Sequence, residues 1–187
     1  MRIIRDTLFL DPYDRGAAAA IGNFDGVHLG HQAVINIARA EARRLGVPLG
    51  VMTFEPHPRE FFAPEAPAFR LMSAETRAHR MTKLGIEKLY EVPFNAGLAA
   101  LTPREFAETV IHQRLGLTHI VVGADFRFGE GRAGSAEDLV AFGADLGFGV
   151  TVAELVELAQ GEVSSTAIRN ALTEGRPRDA AAMLGHW

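Results

Sequence analysis

Short apolar runs alternate with longer segments of helical periodicity along this chain. Residues 17–22, 48–54, 88–92, 119–123 and 149–155 are apolar runs of strand length bounded by turn residues. Residues 31–45, 74–84, 103–115, 135–146, 165–174 and 177–184 repeat apolar side chains at helical intervals; in the first, the stripe is Val34, Ile37, Ala38, Ala42 and Leu45. Thr102 before Pro103 is a cap followed by a proline at the first helical position. Continuous apolar strands alternating with helices predict an α/β fold, a doubly wound parallel sheet of about five strands with helices on both faces. Such sheets bind ligands at the carboxyl ends of their strands, near the point where strand order reverses. Residues 22–31 and the segment after Gly123 fall at such ends.

Residues 55–69 break the pattern. They carry Pro56, Pro58, Pro64 and Pro67, with Phe61, Phe62 and Phe69 interleaved. This proline density predicts an irregular segment. Its phenylalanines either pack on the core or form a flap over a flat aromatic ligand.

The chain has 187 residues and reads as one domain, 1–187, with residues 170–187 as a C-terminal helical extension. A net charge of −4 gives no electrostatic case for nucleic acid. The absence of cysteine excludes disulfides and thiol chemistry. No apolar run is long enough for a bilayer and the first residues lack a signal-peptide core, so a cytoplasmic protein is expected, without membrane partners.

The chemistry concentrates in residues 22–31, Gly-Asn-Phe-Asp-Gly-Val-His-Leu-Gly-His, at the joint between an apolar strand and a helix. A helix start offers free amides and the positive end of its dipole to phosphate. Gly26 and Gly30 permit close backbone approach, and His28 and His31 add side-chain donors. No Gly-Lys-Ser/Thr follows, which excludes the Walker pattern. Histidines three apart without cysteine are a poor zinc set. A second motif, Gly123-Ala124-Asp125-Phe126-Arg127-Phe128-Gly129, follows another apolar strand; Arg127 suits a phosphate and Phe128 a ring. A third, Val163-Ser164-Ser165-Thr166-Ala167-Ile168-Arg169, is a capped helix start with hydroxyls and a guanidinium near one end. Residues 129–134 spell Gly-x-Gly-x-x-Gly with Glu154 downstream. The dinucleotide fingerprint begins at a strand end, however, and here residues 124–128 intervene, so a mobile glycine loop is expected instead.

Taken together, residues 22–32, 53–58 (Thr-Phe-Glu-Pro-His-Pro), 122–129 and 163–169 resemble the FMN adenylyltransferase module of the bacterial bifunctional riboflavin kinase/FAD synthetase family, within the His-x-Gly-His nucleotidylyltransferase superfamily. The resemblance implies a Rossmann-like fold and transfer of AMP from ATP to FMN, giving FAD and pyrophosphate with Mg2+. It implies catalytic roles for His28, His31 and Arg169. ATP would meet Gly22, Asn23, Phe24, Asp25, Gly30, Gly123, Asp125, Arg127, Ser164, Ser165 and Thr166. FMN would meet Pro56, His57, Pro58, Phe62, Phe106 and Phe128. Side-chain ligands of the metal are not readable. Bifunctional members continue into a riboflavin kinase domain, which this chain is expected to lack unless a longer parent carries it in cis. His79, His112, His119 and His186 read as surface or structural. Two alternatives stay open at this point: a related transferase with another phosphorylated acceptor, and a flavin- or nucleotide-binding module without turnover.

Overall fold

The structure, a computed structural model, describes residues 1–154, 157–158 and 161–186. In chain order its elements are β1 (Arg2–Ile4), β2 (Ala18–Ile21), α1 (Leu29–Leu45), β3 (Leu49–Glu55), α2 (Pro58–Phe62), α3 (Ala74–Lys83), β4 (Lys88–Pro93), α4 (Ala96–Ala99), α5 (Pro103–Glu105) running into a π-helix (Phe106–Arg114), β5 (His119–Gly123), a 3-10 turn (Glu130–Arg132), α6 (Ala136–Leu146), β6 (Gly149–Ala153), β7 (Glu157–Leu158), β8 (Gly161–Glu162), α7 (Ser165–Thr173) and α8 (Pro177–Leu184). Strands β1 to β6 form one parallel sheet in the order β1-β4-β3-β2-β5-β6. From β2 the chain builds outward through β3 and β4 on one side and through β5 and β6 on the other. The order therefore reverses between β2 and β5, and the loops after these two strands flank the crevice where such sheets bind ligands.

Alternation along the strands divides the core into two layers. Ala19, Ile21, Met52, Phe54, Tyr90, Val92, Ile120 and Val122 face the π-helix and α6. Ala18, Ala20, Val51, Leu89 and Val121 face α1 and α3, whose Ile35, Ala38, Ala42, Ala78 and Met81 pack on them. This side-chain period of two, with both faces apolar, is what a covered parallel sheet requires. A third, smaller cluster joins Val163 to Ile168 and Ala171 of α7 and Ala180 and Met183 of α8.

The expected α/β sheet is present, with differences. It has six strands rather than about five, because Arg2–Ile4 pairs with β4 at the edge; three residues carry too little periodicity to announce a strand. The segment 55–69 is not wholly irregular. Pro58 takes the first position of α2, His57 caps it, and Glu60 completes a capping box. Proline is preorganised there, so it starts this helix rather than breaking it. The expected helix 103–115 begins as α5 and continues with i→i+5 bonding, Leu115 N–H to the Val110 carbonyl at 3.0 Å. Of the expected strand 149–155, residues 149–153 are β6, and Leu155 lies outside the described residues.

Gly50 of β3 shows how tight the sheet centre is. A Cβ there would stand 3.1 Å from those of Ala17 and Ala19 and 3.2 Å from the Tyr90 ring. Gly50→Val should lower unfolding free energy by about 1–3 kcal/mol, the usual cost of overpacking, read from the denaturant midpoint.

Candidate active site

Beyond β2 the chain reverses through residues 22–28. Phe24 (φ 52°), Gly26 (φ 89°) and Val27 (φ 43°) occupy the left-handed region. Glycine does so without steric penalty; a phenylalanine and a β-branched valine do not. Both side chains are fully buried beneath the loop, and that burial offsets the backbone cost. The reversal brings His28 to the N-cap of α1, where its Nδ1 accepts the His31 backbone N–H at 3.3 Å. An accepting ring nitrogen carries no hydrogen, so the neutral His28 ring keeps its proton on Nε2. The His28 and His31 rings stack with centroids 3.6 Å apart. A Cβ at Gly30 would lie 3.1 Å from His28 Nδ1 and 3.2 Å from the Val163 carbonyl oxygen. The third motif is thus pressed against the start of α1, although well over a hundred residues separate them in sequence.

Burial lowers the His28 pKa to about 4, with Asp25 opposing and Arg169 assisting. His31 is held well below its usual value by burial and by His28. Both rings are therefore neutral at pH 7, and His31 Nδ1 is buried without a hydrogen-bond partner among the described residues.

Asp25 is the hub beneath them. Its carboxylate accepts the Leu71 N–H at 2.9 Å, the Met72 N–H at 3.3 Å and Arg169 Nη2 at 2.6 Å. Ser165 Oγ donates to the Asp25 carbonyl at 2.8 Å, and Arg169 Nε to the Phe69 carbonyl at 2.8 Å. The first and third motifs and the end of the 55–69 segment are thereby tied together. Ser164 caps α7, and Thr166 is exposed beside it. Gly22 lies under the Phe24 ring; exposed Asn23 gives its carbonyl to Thr53 Oγ1 at 3.2 Å and to Arg77 Nη1 at 3.3 Å.

The aromatic residues form a second, continuous feature. Ring contacts run from Phe62 to Phe61 and Phe94, on to Phe54 and Phe106, then to Phe128 and Phe126, with successive centroids 5.2–6.4 Å apart. Phe106 and Phe128 are buried in the core, whereas Phe62 is 68% exposed. Pro56 joins Glu55 through a cis peptide, and His57 Nδ1 accepts the Arg59 N–H at 3.1 Å, so His57 serves α2 directly. Arg70 holds this segment with bonds to Glu55 (2.7 Å) and Glu60 (2.5 Å), and Arg77 also reaches Glu55 at 3.0 Å. No local pattern marks these charged partners in the sequence, since they stand 10 to 22 positions apart. Phe94 could have been found: it follows a strand directly, beside a proline.

After β5, Asp125 and Arg127 are exposed, and among the described residues neither makes a hydrogen bond or ion pair. They do not pair with each other. A Cβ at Gly123 would stand 2.9 Å from Asp125 Oδ1, the tip of an exposed side chain that is free to turn away. The glycine run 129–134 is not the loose loop the sequence suggests. Phe128 and Gly134 exchange backbone hydrogen bonds at 3.2 and 2.9 Å, and a Cβ at Gly134 would meet the Phe128 ring at 2.9 Å. Gly129 and Gly134 serve packing, against Pro103 and Phe128, while Gly131 takes φ 60° with open space around it. His119, as a structural residue, bonds Thr151 Oγ1 at 2.8 Å.

Residues 10–167 match the family model for FAD synthetase. The chain belongs to the FAD synthetase family. The bifunctional riboflavin kinase/FMN adenylyltransferase of Pseudomonas fluorescens is 42% identical over 185 residues, 99% of this chain and 59% of that protein. Its counterpart in Escherichia coli K12 is 36% identical, over 91% of this chain and 55% of that one. The chain thus spans somewhat more than half the length of these relatives. A crystal structure titled as a macrolide-efflux protein from Streptococcus pneumoniae superposes with TM-score 0.87 at 29% identity, covering 100% of this chain and 62% of that one. The pantoate–β-alanine ligase of Francisella tularensis shares the fold at TM-score 0.53 and 14% identity, over 93% of this chain and 80% of that one. No helix among the described residues is long and apolar enough to cross a membrane.

The buried histidines make stability pH-dependent. Their folded pKa values lie below the unfolded value of about 6.5, so the unfolded chain binds more protons on acidification. Unfolding free energy should be level in this respect above pH 6.5 and fall as the pH drops from there to about 4, by at most about 1.4 kcal/mol per pH unit per histidine. His28→Gln should flatten that slope in denaturant titrations at several pH values.

Proposed function

We propose that this chain transfers the adenylyl group of ATP to FMN. One observation carries the reading. In a parallel sheet all carboxyl ends lie on one edge, and there the His28–His31 loop and the wall of phenylalanines stand at adjoining strands. A polyphosphate suits the first and a flat isoalloxazine ring the second. The family and the names of the relatives support the same chemistry.

The FMN phosphate attacks the α-phosphorus of ATP; the bond to the bridging oxygen of the β-phosphate breaks, and pyrophosphate leaves with the electron pair. A phosphate monoester has its second pKa near ~6 and is mostly dianionic at pH 7, so the attack needs no general base. That frees the histidines for another task. Neutral in the resting protein, they act as hydrogen-bond donors rather than fixed cations. His28 Nε2–H and the free amides of α1 would meet charge developing on the phosphoryl oxygens. Arg169, held by Asp25 and the Phe69 carbonyl, keeps the third motif against this loop and adds positive charge. Magnesium would come with the triphosphate and neutralise it. Among the described residues no group of three or more histidine, aspartate or glutamate side chains is arranged to hold a metal ion. Phosphate oxygens and water would thus supply most ligands, with unpaired Asp125 at the end of β5 as the fitting carboxylate.

Incubation with ATP, magnesium and FMN should give FAD and pyrophosphate by chromatography, with riboflavin as the parallel acceptor. Pyrophosphate release only with another phosphorylated acceptor and no FAD from FMN, or ATP binding without turnover, would overturn the assignment. His28→Ala should lower kcat on the order of 10²–10³-fold, as expected for one transition-state donor. Phe62→Ala should raise the FMN KM about fivefold, near 1 kcal/mol, and leave the ATP KM unchanged.

A further inference from the structure

The loop that presents His28 contains two non-glycine residues with positive φ, Phe24 and Val27. Such a conformation costs of order 1–3 kcal/mol per residue and persists only where its surroundings over-determine it. Side-chain burial holds the loop from below. From outside it is held by the far end of the chain. His186 Nε2 donates to the Gly26 carbonyl at 2.9 Å. Gln32 Nε2 donates to the Val27 carbonyl at 2.9 Å and to the Leu184 carbonyl at 3.1 Å. Gly26 lies so close to α8 that a Cβ would stand 3.2 Å from Leu184 Cδ2, and a Cβ at Gly185 would meet Leu29 Cδ2 at 2.5 Å.

These contacts fall on the two carbonyls that immediately precede His28. A peptide flip or slackening at Gly26 or Val27 would redirect the N-cap, and with it the Nδ1 bond to the His31 amide that fixes the His28 tautomer. We infer that α8 and its following residues clamp the histidine loop, and that Gln32 and His186 are positioning residues for His28. Neither need touch substrate. Gln32 lies one residue beyond His31, at the end of the 22–32 motif, where the sequence itself marks no role for its side chain; His186 is separated from Gly26 by 160 positions. The C-terminal helices are therefore part of the site's construction rather than an appendage to it.

The inference rests on the proposed adenylyl transfer, so the test keeps the two apart. Gln32→Ala, His186→Ala and His186→Gln would be compared with the parent chain for kcat, both KM values, thermal midpoint, and the His28 ring titration by NMR. Losing either donor should lower kcat about 10–100-fold, since small misplacement of a reacting group has effects of this order. The FMN KM and thermal midpoint should stay close to the parent values. His186→Gln, which restores an N–H donor, should recover most of the rate. The His28 titration should move upward from about 4 toward 6.5 in the alanine variants as the loop opens to water. An active parent whose Gln32→Ala and His186→Ala variants keep kcat and the His28 titration would overturn the clamp. An inactive parent would overturn the adenylyl-transfer reading instead, while the NMR titration still judges the clamp. Should an alanine variant fail to fold, Gln32→Met, which keeps the side-chain length and removes the donor, decides instead: a lowered kcat with a raised His28 titration supports the clamp, and parent-like values of both in the folded variant overturn it.

Discussion

The buried carboxylate of Asp25 is the constraint on which the site depends. A charge removed from water is tolerated only when it is paired and its lone pairs are filled. Here two backbone amides and one guanidinium do both. Those partners come from residues 71 and 72 and from α7, so satisfying one carboxylate requires three distant segments to converge. Convergence fixes the loop after β2 that carries His28. It also commits Arg169 to structure as well as electrostatics, because its Nε holds the Phe69 carbonyl at the same time.

Above that hub the site combines two unlike surfaces. The start of α1 supplies amide donors and a pair of stacked, neutral imidazoles. The ends of β3 and β4 and the segment after β5 supply a chain of aromatic rings that passes from the core into solvent at Phe62. These are the two surfaces on which the proposed adenylyl transfer to FMN rests. Both histidines stay uncharged because burying cations without partners would be costly.

Much of this was legible in advance. Apolar runs of strand length, separated by helical stripes, gave the covered parallel sheet, since alternation and period follow from backbone geometry alone. The three motifs stood out because glycine, histidine and serine at strand–helix joints have few purely structural reasons to cluster. Local rules failed where a short segment borrowed its conformation from a partner. Arg2–Ile4 is a strand only because β4 offers it an edge. Pro58 starts α2 because His57 and Glu60 reciprocally cap it. Gly129 and Gly134, the outer glycines of a run that spells a nucleotide motif, fit against Pro103 and Phe128 instead.

By itself the sequence determined the fold class, the placement of the motifs at strand ends and the kinds of ligand those side chains suit. These depend on local backbone preference and side-chain chemistry. Only the tertiary structure decided that Asp25 faces inward to Arg169, that the phenylalanines join into one wall, and that Gln32 and His186 secure the loop beneath His28. Each is a contact between segments far apart in the chain. Its existence depends on the packing of whole elements, which no local pattern of residues encodes.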